Sequence, residues 1–398
     1  MAMQWLGHYT FNTDKRSQIS TFIGLMKAKN HEDYVTAMRC VDMPPQNFAF
    51  SSNEGDIAIT ANGRWPIKFD QQGRVSQDGS NPRNTWKGFV PMEQVPQTKN
   101  PDAGFVTSAN QRSTAKDYPY YYNGGFDDYR GRMINRILSR AVNYSVDSMM
   151  QMQNNTYSIK AEEALPLMLE AVGNQSEEMA QKILQDLRAW DYQFDKDEKA
   201  PAVFQKWYSW VYRTTFDEVY ALRDSMDVLY PDSWRLIDLL ENLPDHSIFD
   251  IQETVDNELA IDVIRTAWDS TLMDIGEEYN TEDFNWQKEK GTYIGHLGNI
   301  KPFGAYDVPI GGYHDAINAV QDDFGPSWRM IVQLGEKPRA WGVFPGGQSG
   351  NPGSKYYDNM ILQWAQGQYN ELFFMDGPDD DGQPKVFKMN FKSENIQN

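Results

Sequence analysis

Residues 46–68 read QNFAFSSNEGDIAITANGRWPIK, and this stretch predicts a β-hairpin. Two short runs with strand-like alternation lie on either side of Glu54-Gly55, and Asn62-Gly63 marks the next turn. Further on, GFVTSAN at 104–110 predicts a strand that runs into a loop. Because Gly and Pro separate these short runs, we expect residues 1–130 to form a strand-rich region.

The hydrophobic period becomes helical across residues 131–290. In the segment 176–190, apolar side chains recur every three or four positions behind Ser176, which is a candidate N-cap. Similar patterns predict helices over 202–222, after Ser233 and across 252–275. Residues 131–290 are therefore expected to form a helical region whose aromatic side chains are mostly core.

Strand patterns return in residues 291–398. SWRMIVQL at 327–334 and AWGVF at 340–344 predict strands, and NMILQWAQG at 359–367 predicts a short helix. Strands, then helices, then strands, without βαβ alternation, indicate an α+β fold. We expect the last region to complete the same domain as the first.

Composition excludes several classes of protein. Of 398 residues, 40% are hydrophobic and 13% aromatic, which suits a large buried core rather than disorder. Lys plus Arg is 37 and Asp plus Glu is 56, so the net charge of −19 argues against nucleic-acid binding. The single cysteine, Cys40, excludes an internal disulfide and a thiolate metal cluster. No apolar run is long enough to span a membrane, and the N-terminus does not resemble a secretory signal.

Common catalytic motifs are absent from the sequence. We find no nucleophile elbow, no phosphate-binding loop and no H-E-x-x-H zinc motif. The histidines are scattered without ligand spacing, so we interpret them as packing or surface residues. The acidic segment DGPDDDG at 376–382 lacks the register and closing Glu of a calcium loop, and we interpret it as a solvated turn. No metal site is predicted.

Five longer segments, in order along almost the whole chain, together resemble the penicillin amidase (penicillin acylase) family of N-terminal nucleophile hydrolases. The first is the 46–68 stretch quoted above, with its Gly-Arg-x-Pro turn. The others are TWKGFVPMEQVPQTKNPDAGFVTSANQR (85–112), DDYRGRMINRIL (127–138), GPSWRMIVQL (325–334) and FPGGQSGNPGSKYYDNMILQWAQGQYNELFF (344–374).

The resemblance implies a partial αββα sandwich with a helical insertion between two strand-rich regions. It also implies hydrolysis of linear amide bonds in N-acyl compounds such as β-lactams and acyl-homoserine lactones, hence a role in antibiotic metabolism, and a periplasmic location. In this family a Ser becomes the first residue of the β subunit, and its own α-amine serves as the base. No cofactor takes part in the chemistry. A family calcium ion is possible, with ligands largely outside this chain.

The resemblance also assigns four site residues. Asn110 would donate its side-chain amide to the oxyanion, and Arg130 would orient the site electrostatically. Gln46 and Tyr122 fall where family members place acyl-pocket residues. The alternatives are a turn-capping role for Asn110, a structural role for Arg130, and plain packing for the other two.

The sequence departs from the family pattern at its start. The Ser-Asn-x-Trp signature of complete members would lie upstream of Met1. Ser80 follows a glycine as the nucleophile does, but Pro82 and Arg83 replace the rest of the signature, and Ser354 belongs to a terminal block. We therefore expect an incomplete β-subunit chain without its nucleophile, inactive alone, whose partners are the missing upstream segment and the α subunit. The alternative is a non-catalytic binding or accessory module derived from such an acylase.

Overall fold

The computed structural model describes residues 2–9, 17–124, 127–223, 225–377, 380, 382 and 389–391. Helices and two antiparallel sheets occur together, which confirms the predicted mixture of α and β structure. In this part of the chain, no helix is long and apolar enough to cross a bilayer. The acidic segment 376–382 lies only partly within the described residues, so its interpretation as a turn stays a prediction.

The first sheet contains the predicted hairpin. Strand β1 (Gln46–Ser51) pairs antiparallel with β2 (Ile57–Asn62), which pairs in turn with β3 (Gln97–Lys99). Two helices precede it, α1 (Ile19–Lys27) and α2 (His31–Met38). The ring of Tyr34 on α2 lies 4.9 Å from that of Phe50 on β1, and the Tyr34 hydroxyl donates to the carbonyl of Phe48 at 3.0 Å. Helix α2 therefore packs on the Phe48 and Phe50 face, and the opposite face of β1 carries Asn47.

Nine helices follow between residues 129 and 290, within the described residues. Several begin at a side-chain N-cap, as Ser158 does for α5 by accepting from the amide of Ala161. The bounds are α3 Tyr129–Leu138, α4 Val146–Gln153, α5 Ile159–Val172, α6 Glu178–Ala189, α7 Ala200–Thr215, α8 Asp217–Leu222, α9 Ser233–Asn242, α10 Ala260–Ile275 and α11 Trp286–Lys290.

A single apolar core joins most of these helices. The rings of Trp207 on α7 and Trp268 on α10 are fully buried and lie 4.7 Å apart. The indole of Trp207 donates to the carbonyl of Ile264 at 3.2 Å, so burial of this polar group is compensated. Helix α3 joins the core through Tyr129 and Met133.

Three details of the helical predictions are wrong. Helix α6 begins after Glu177 rather than Ser176. The pattern over 202–222 forms two helices, because Phe216 interrupts it with φ −114° and ψ 36°. The pattern over 252–275 becomes helical only from Ala260.

The second sheet confirms the predicted C-terminal strands. It consists of β4 (Arg329–Gln333), β5 (Arg339–Val343) and β6 (Asn370–Leu372), and the short helix α12 (Ile361–Ala365) precedes β6. The buried guanidinium of Arg329 donates to the carbonyl of Trp364 at 2.7 Å and to the side chain of Asn318 at 2.6 Å. These hydrogen bonds tie the first strand of the sheet to the helix.

The predicted strand at 104–110 does not form. This segment is an irregular loop, and part of its hydrogen bonding is met by a side chain instead of a neighbouring strand. The amide of Ala109 donates to the side-chain oxygen of Gln111.

Candidate active site

Asn110 lies in the irregular segment that follows β3. Its φ of +66° is in the left-handed region, which asparagine tolerates better than most residues. The Gln111 side chain stabilises the loop, because it accepts from the amide of Ala109 and donates to the carbonyl of Thr107 at 3.4 Å. A Cβ atom on Gly131 would lie 3.0 Å from the Gln111 side chain, so the glycine lets α3 approach the loop closely.

Arg130, the second residue of α3, fixes the orientation of the Asn110 amide. One guanidinium Nη2 donates to the Asn110 Oδ1 at 2.8 Å. A guanidinium only donates hydrogen bonds, so the atom that faces it must be the amide oxygen. The Nδ2 group of Asn110 is therefore turned away from Arg130 and remains available as a donor.

Three of the four predicted site residues line one cleft of about 360 Å³, here called the Asn110 cleft. Gln46 from β1, Asn110 and Arg130 meet there, and Ile134 and Ile317 supply apolar wall. The side chain of Asn47 donates to the hydroxyl of Ser108 at 2.6 Å, which ties β1 to the loop. Sequence reasoning missed this pair, although Asn47 follows Gln46 and Ser108 lies two residues before Asn110.

Tyr122 lies outside the Asn110 cleft. Its ring stacks on that of Trp65 with centroids 4.7 Å apart and an interplanar angle of 12°. The guanidinium of Arg112 lies 5.6 Å from the centre of the same ring. The structure thus places Tyr122 in an aromatic stack, and its predicted acyl-pocket role stays a prediction.

A buried ionic cluster lies near Arg130. Lys160 and Asp315 form an ion pair at 3.0 Å, with 2% and 0% of their side chains exposed. His314 Nε2 lies 3.9 Å from a carboxylate oxygen of Asp127. Burial is the main reason why the pKa of Asp127 is raised, and the hydrogen bond from the Tyr129 amide offsets it in part, followed by the charges of Lys160 and Arg130. No carboxylate, histidine or lysine of the described residues lines the Asn110 cleft itself, so the cleft offers donors but no general base.

Acid should destabilise the fold through His314. Burial first, and then the charge of Lys160, lowers the pKa of His314 from 6.5 to about 4. Between these values the unfolded chain binds a proton that the folded chain does not, so stability should fall as the pH drops from 6.5 to 4. Because 38% of the side chain is exposed, solvent weakens the effect and we predict its direction only. Urea unfolding across this range should show a shallower pH dependence for His314→Gln. An unchanged slope would contradict the assignment.

Metal-binding side chains do not cluster in the described residues. No group of three or more His, Cys, Asp or Glu among them is placed to hold an ion. Cys40 is buried in the turn after α2.

The comparisons with known proteins agree on one family. A family model described as penicillin amidase matches residues 1–378. An acyl-homoserine lactone acylase, QuiP, of Pseudomonas aeruginosa is 23% identical in an alignment 421 residues long. The alignment covers 92% of this chain and 48% of that protein. The penicillin acylase 2 proenzyme of a Pseudomonas species (strain SE83) is 23% identical over 330 residues, covering 78% of this chain and 42% of the proenzyme. This chain spans about half the length of the curated relatives it matches.

A solved structure shows the same fold. A thermostable penicillin G acylase from Alcaligenes faecalis superposes with a TM-score of 0.63 over 96% of this chain and 77% of that one, at 14% identity. This chain therefore shares the overall fold of that acylase.

Proposed function

This chain belongs to the penicillin amidase family, and from that premise we propose that it supplies the oxyanion-stabilising part of an amidase site. The proposed reaction is hydrolysis of a linear amide bond in an N-acyl compound. The observation that carries the proposal is the hydrogen bond from Arg130 to the Asn110 Oδ1. That bond leaves the Asn110 Nδ2 group free to donate into the cleft.

The chemistry assigns Asn110 a specific step. A nucleophilic hydroxyl adds to the amide carbonyl carbon, its proton passes to a base, and the carbonyl π electrons move onto oxygen. Donors that are already in position stabilise this oxyanion without reorganisation. The C–N bond then breaks as the amine nitrogen takes the proton. Water hydrolyses the resulting acyl ester, which releases the acid and restores the hydroxyl.

We assign the nucleophile to an N-terminal serine outside the given sequence. Ser108 lines the Asn110 cleft, but its hydroxyl accepts from Asn47, and the described residues that line the cleft include no base. Ser80 does not line the cleft, and its hydroxyl donates to Asp78 at 2.6 Å. An N-terminal serine carries its own base, the α-amine, and so fits a cleft that offers donors alone. The upstream β segment and the α subunit would complete the αββα sandwich and the site. We call this chain together with both of them the "assembled acylase".

The proposed substrates follow the printed names of the relatives. These are an acyl-homoserine lactone acylase and a penicillin acylase, so we propose N-acyl compounds of these two kinds. A periplasmic location is part of the same proposal, which fractionation of cells that produce the assembled acylase would test.

Activity should require assembly. We expect the given chain alone not to hydrolyse a chromogenic phenylacetyl anilide or an acyl-homoserine lactone, because its cleft lacks a nucleophile with a base. Co-expression with the upstream segment and α subunit should produce turnover that is measurable by absorbance. The Ser80→Ala chain is the control. Turnover by the chain alone, abolished by Ser80→Ala, would contradict the proposal and assign the chemistry to Ser80.

A further inference from the structure

A second cleft of about 440 Å³, here called the Arg112 cleft, lies on the other side of the Asn47–Ser108 hydrogen bond. Asn47 and Ser108 line both clefts, so the pair forms the boundary between them. The floor is the sheet face opposite α2, since Asn47 pairs with Ala61 and Ile59 pairs with Thr98. The wall is the loop from 107 to 115, which also carries Asn110.

Most of the residues that line the Arg112 cleft have polar side chains, and apolar surface lies beside them. Hydroxyl groups come from residues that include Thr98, Thr107 and Ser113, and Ile59 is one of the apolar residues. The Arg112 cleft therefore offers hydrogen-bond partners to a polar group of a ligand.

Arg112 provides the charged group of this cleft. Its Nε donates to the Thr114 hydroxyl at 2.8 Å, and the guanidinium lies over the Tyr122 ring. These two contacts hold the side chain in place. Among the described residues, neither Nη group makes a hydrogen bond with the protein and no carboxylate lies within 4.0 Å of Arg112. A positioned guanidinium with free Nη groups matches the bidentate geometry of a carboxylate.

We propose that the Arg112 cleft binds the arm of the substrate beyond the scissile amide, and that this arm carries a carboxylate held by Arg112. The inference rests on the proposed function, because it takes the amide carbonyl to lie at Asn110. The carboxylate can belong to the acyl arm or to the amine arm, and matched probes distinguish these sources.

The test is isothermal titration calorimetry on the given chain with two pairs of amides. Adipic acid monoamide and hexanamide differ by a carboxylate on the acyl arm. N-acetyl-4-aminobenzoate and acetanilide differ by a carboxylate on the amine arm. We expect the charged member of at least one pair to bind about tenfold more tightly, as charge-assisted hydrogen bonds allow.

The preference should depend on Arg112. It should disappear in Arg112→Gln. It should decrease in Arg112→Lys, which keeps the charge but not the bidentate geometry. It should persist in Arg140→Gln, a charge-matched change at an exposed residue. Thermal melts check that the variants are folded. No preference in either pair, or a preference that survives Arg112→Gln, would overturn the inference. This experiment measures binding and needs no turnover, so it can fail independently of the proposed function. The assembled acylase can hydrolyse amides without a carboxylate preference, and the chain can bind the carboxylate without amidase activity.

Discussion

Asn110→Ala should lower the kcat of the assembled acylase by about 10²–10³-fold, the loss seen when one oxyanion donor is removed. The reason is geometric, since Arg130 holds the Asn110 oxygen at 2.8 Å and leaves the Nδ2 group to donate. KM should change much less, because the hydrogen bond is strongest in the transition state. The measurement is steady-state kinetics on fully processed enzyme.

The control for this variant needs care. Gln111→Ala is the neighbouring change, but Gln111 braces the loop through Ala109 and Thr107, so its loss would also disturb Asn110. Asn53→Ala is a better match, because the Asn53 amide donates to the carbonyl of Gly335 and does not line the Asn110 cleft. If Asn110→Ala keeps kcat within a few-fold of both the parent and Asn53→Ala, Asn110 returns to a turn-forming role.

Asp315→Asn should destabilise the fold by about 3–5 kcal/mol, the cost of leaving a buried charge without its partner. Asp315 is fully buried, and it lies 3.0 Å from the Lys160 ammonium. That ammonium also lies 5.2 Å from the centre of the Tyr313 ring, and only 2% of the Lys160 side chain is exposed. The free energy of unfolding in urea measures the effect.

Two comparison variants distinguish the effect of leaving a buried charge unpaired from the effect of removing any charge. The double variant Lys160→Met with Asp315→Asn removes both charges and should be markedly more stable than Asp315→Asn alone. Glu371→Gln breaks the exposed Arg339–Glu371 pair, whose side chains are 58% and 59% exposed, and should cost at most about 1 kcal/mol. An effect of Asp315→Asn no larger than that of Glu371→Gln would contradict this account of the cluster.

Local patterns predicted the fold where local forces determine it. The hairpin of β1 and β2 was predictable because its alternation and its Glu54-Gly55 turn lie within a few residues of each other. The loop at 104–110 was not, because an extended segment forms a strand only if another strand is there to pair with it. The break at Phe216 was missed for a related reason, since its apolar side chain fits the helical period while its backbone leaves the helix.

The candidate site was predictable only in part. Motif resemblance pointed to Asn110 and Arg130, and the structure joins these two by a hydrogen bond in a cleft that Gln46 also lines. The Asn47–Ser108 bond depends on how β1 meets a loop far along the chain, which no local pattern reports. The Lys160–Asp315 pair likewise joins α5 to a loop far beyond it, and only the folded chain shows that each charge has a partner.

A crystal structure of the assembled acylase with a tetrahedral phosphonate or boronate adduct would test the central claim most directly. We predict that an anionic oxygen of the adduct lies about 2.7–3.1 Å from the Asn110 Nδ2, the range expected of an oxyanion donor. Arg130 should still donate to the Asn110 Oδ1, as it does at 2.8 Å here. An adduct oxygen held by other donors, with the Asn110 amide turned away from it, would contradict the claim.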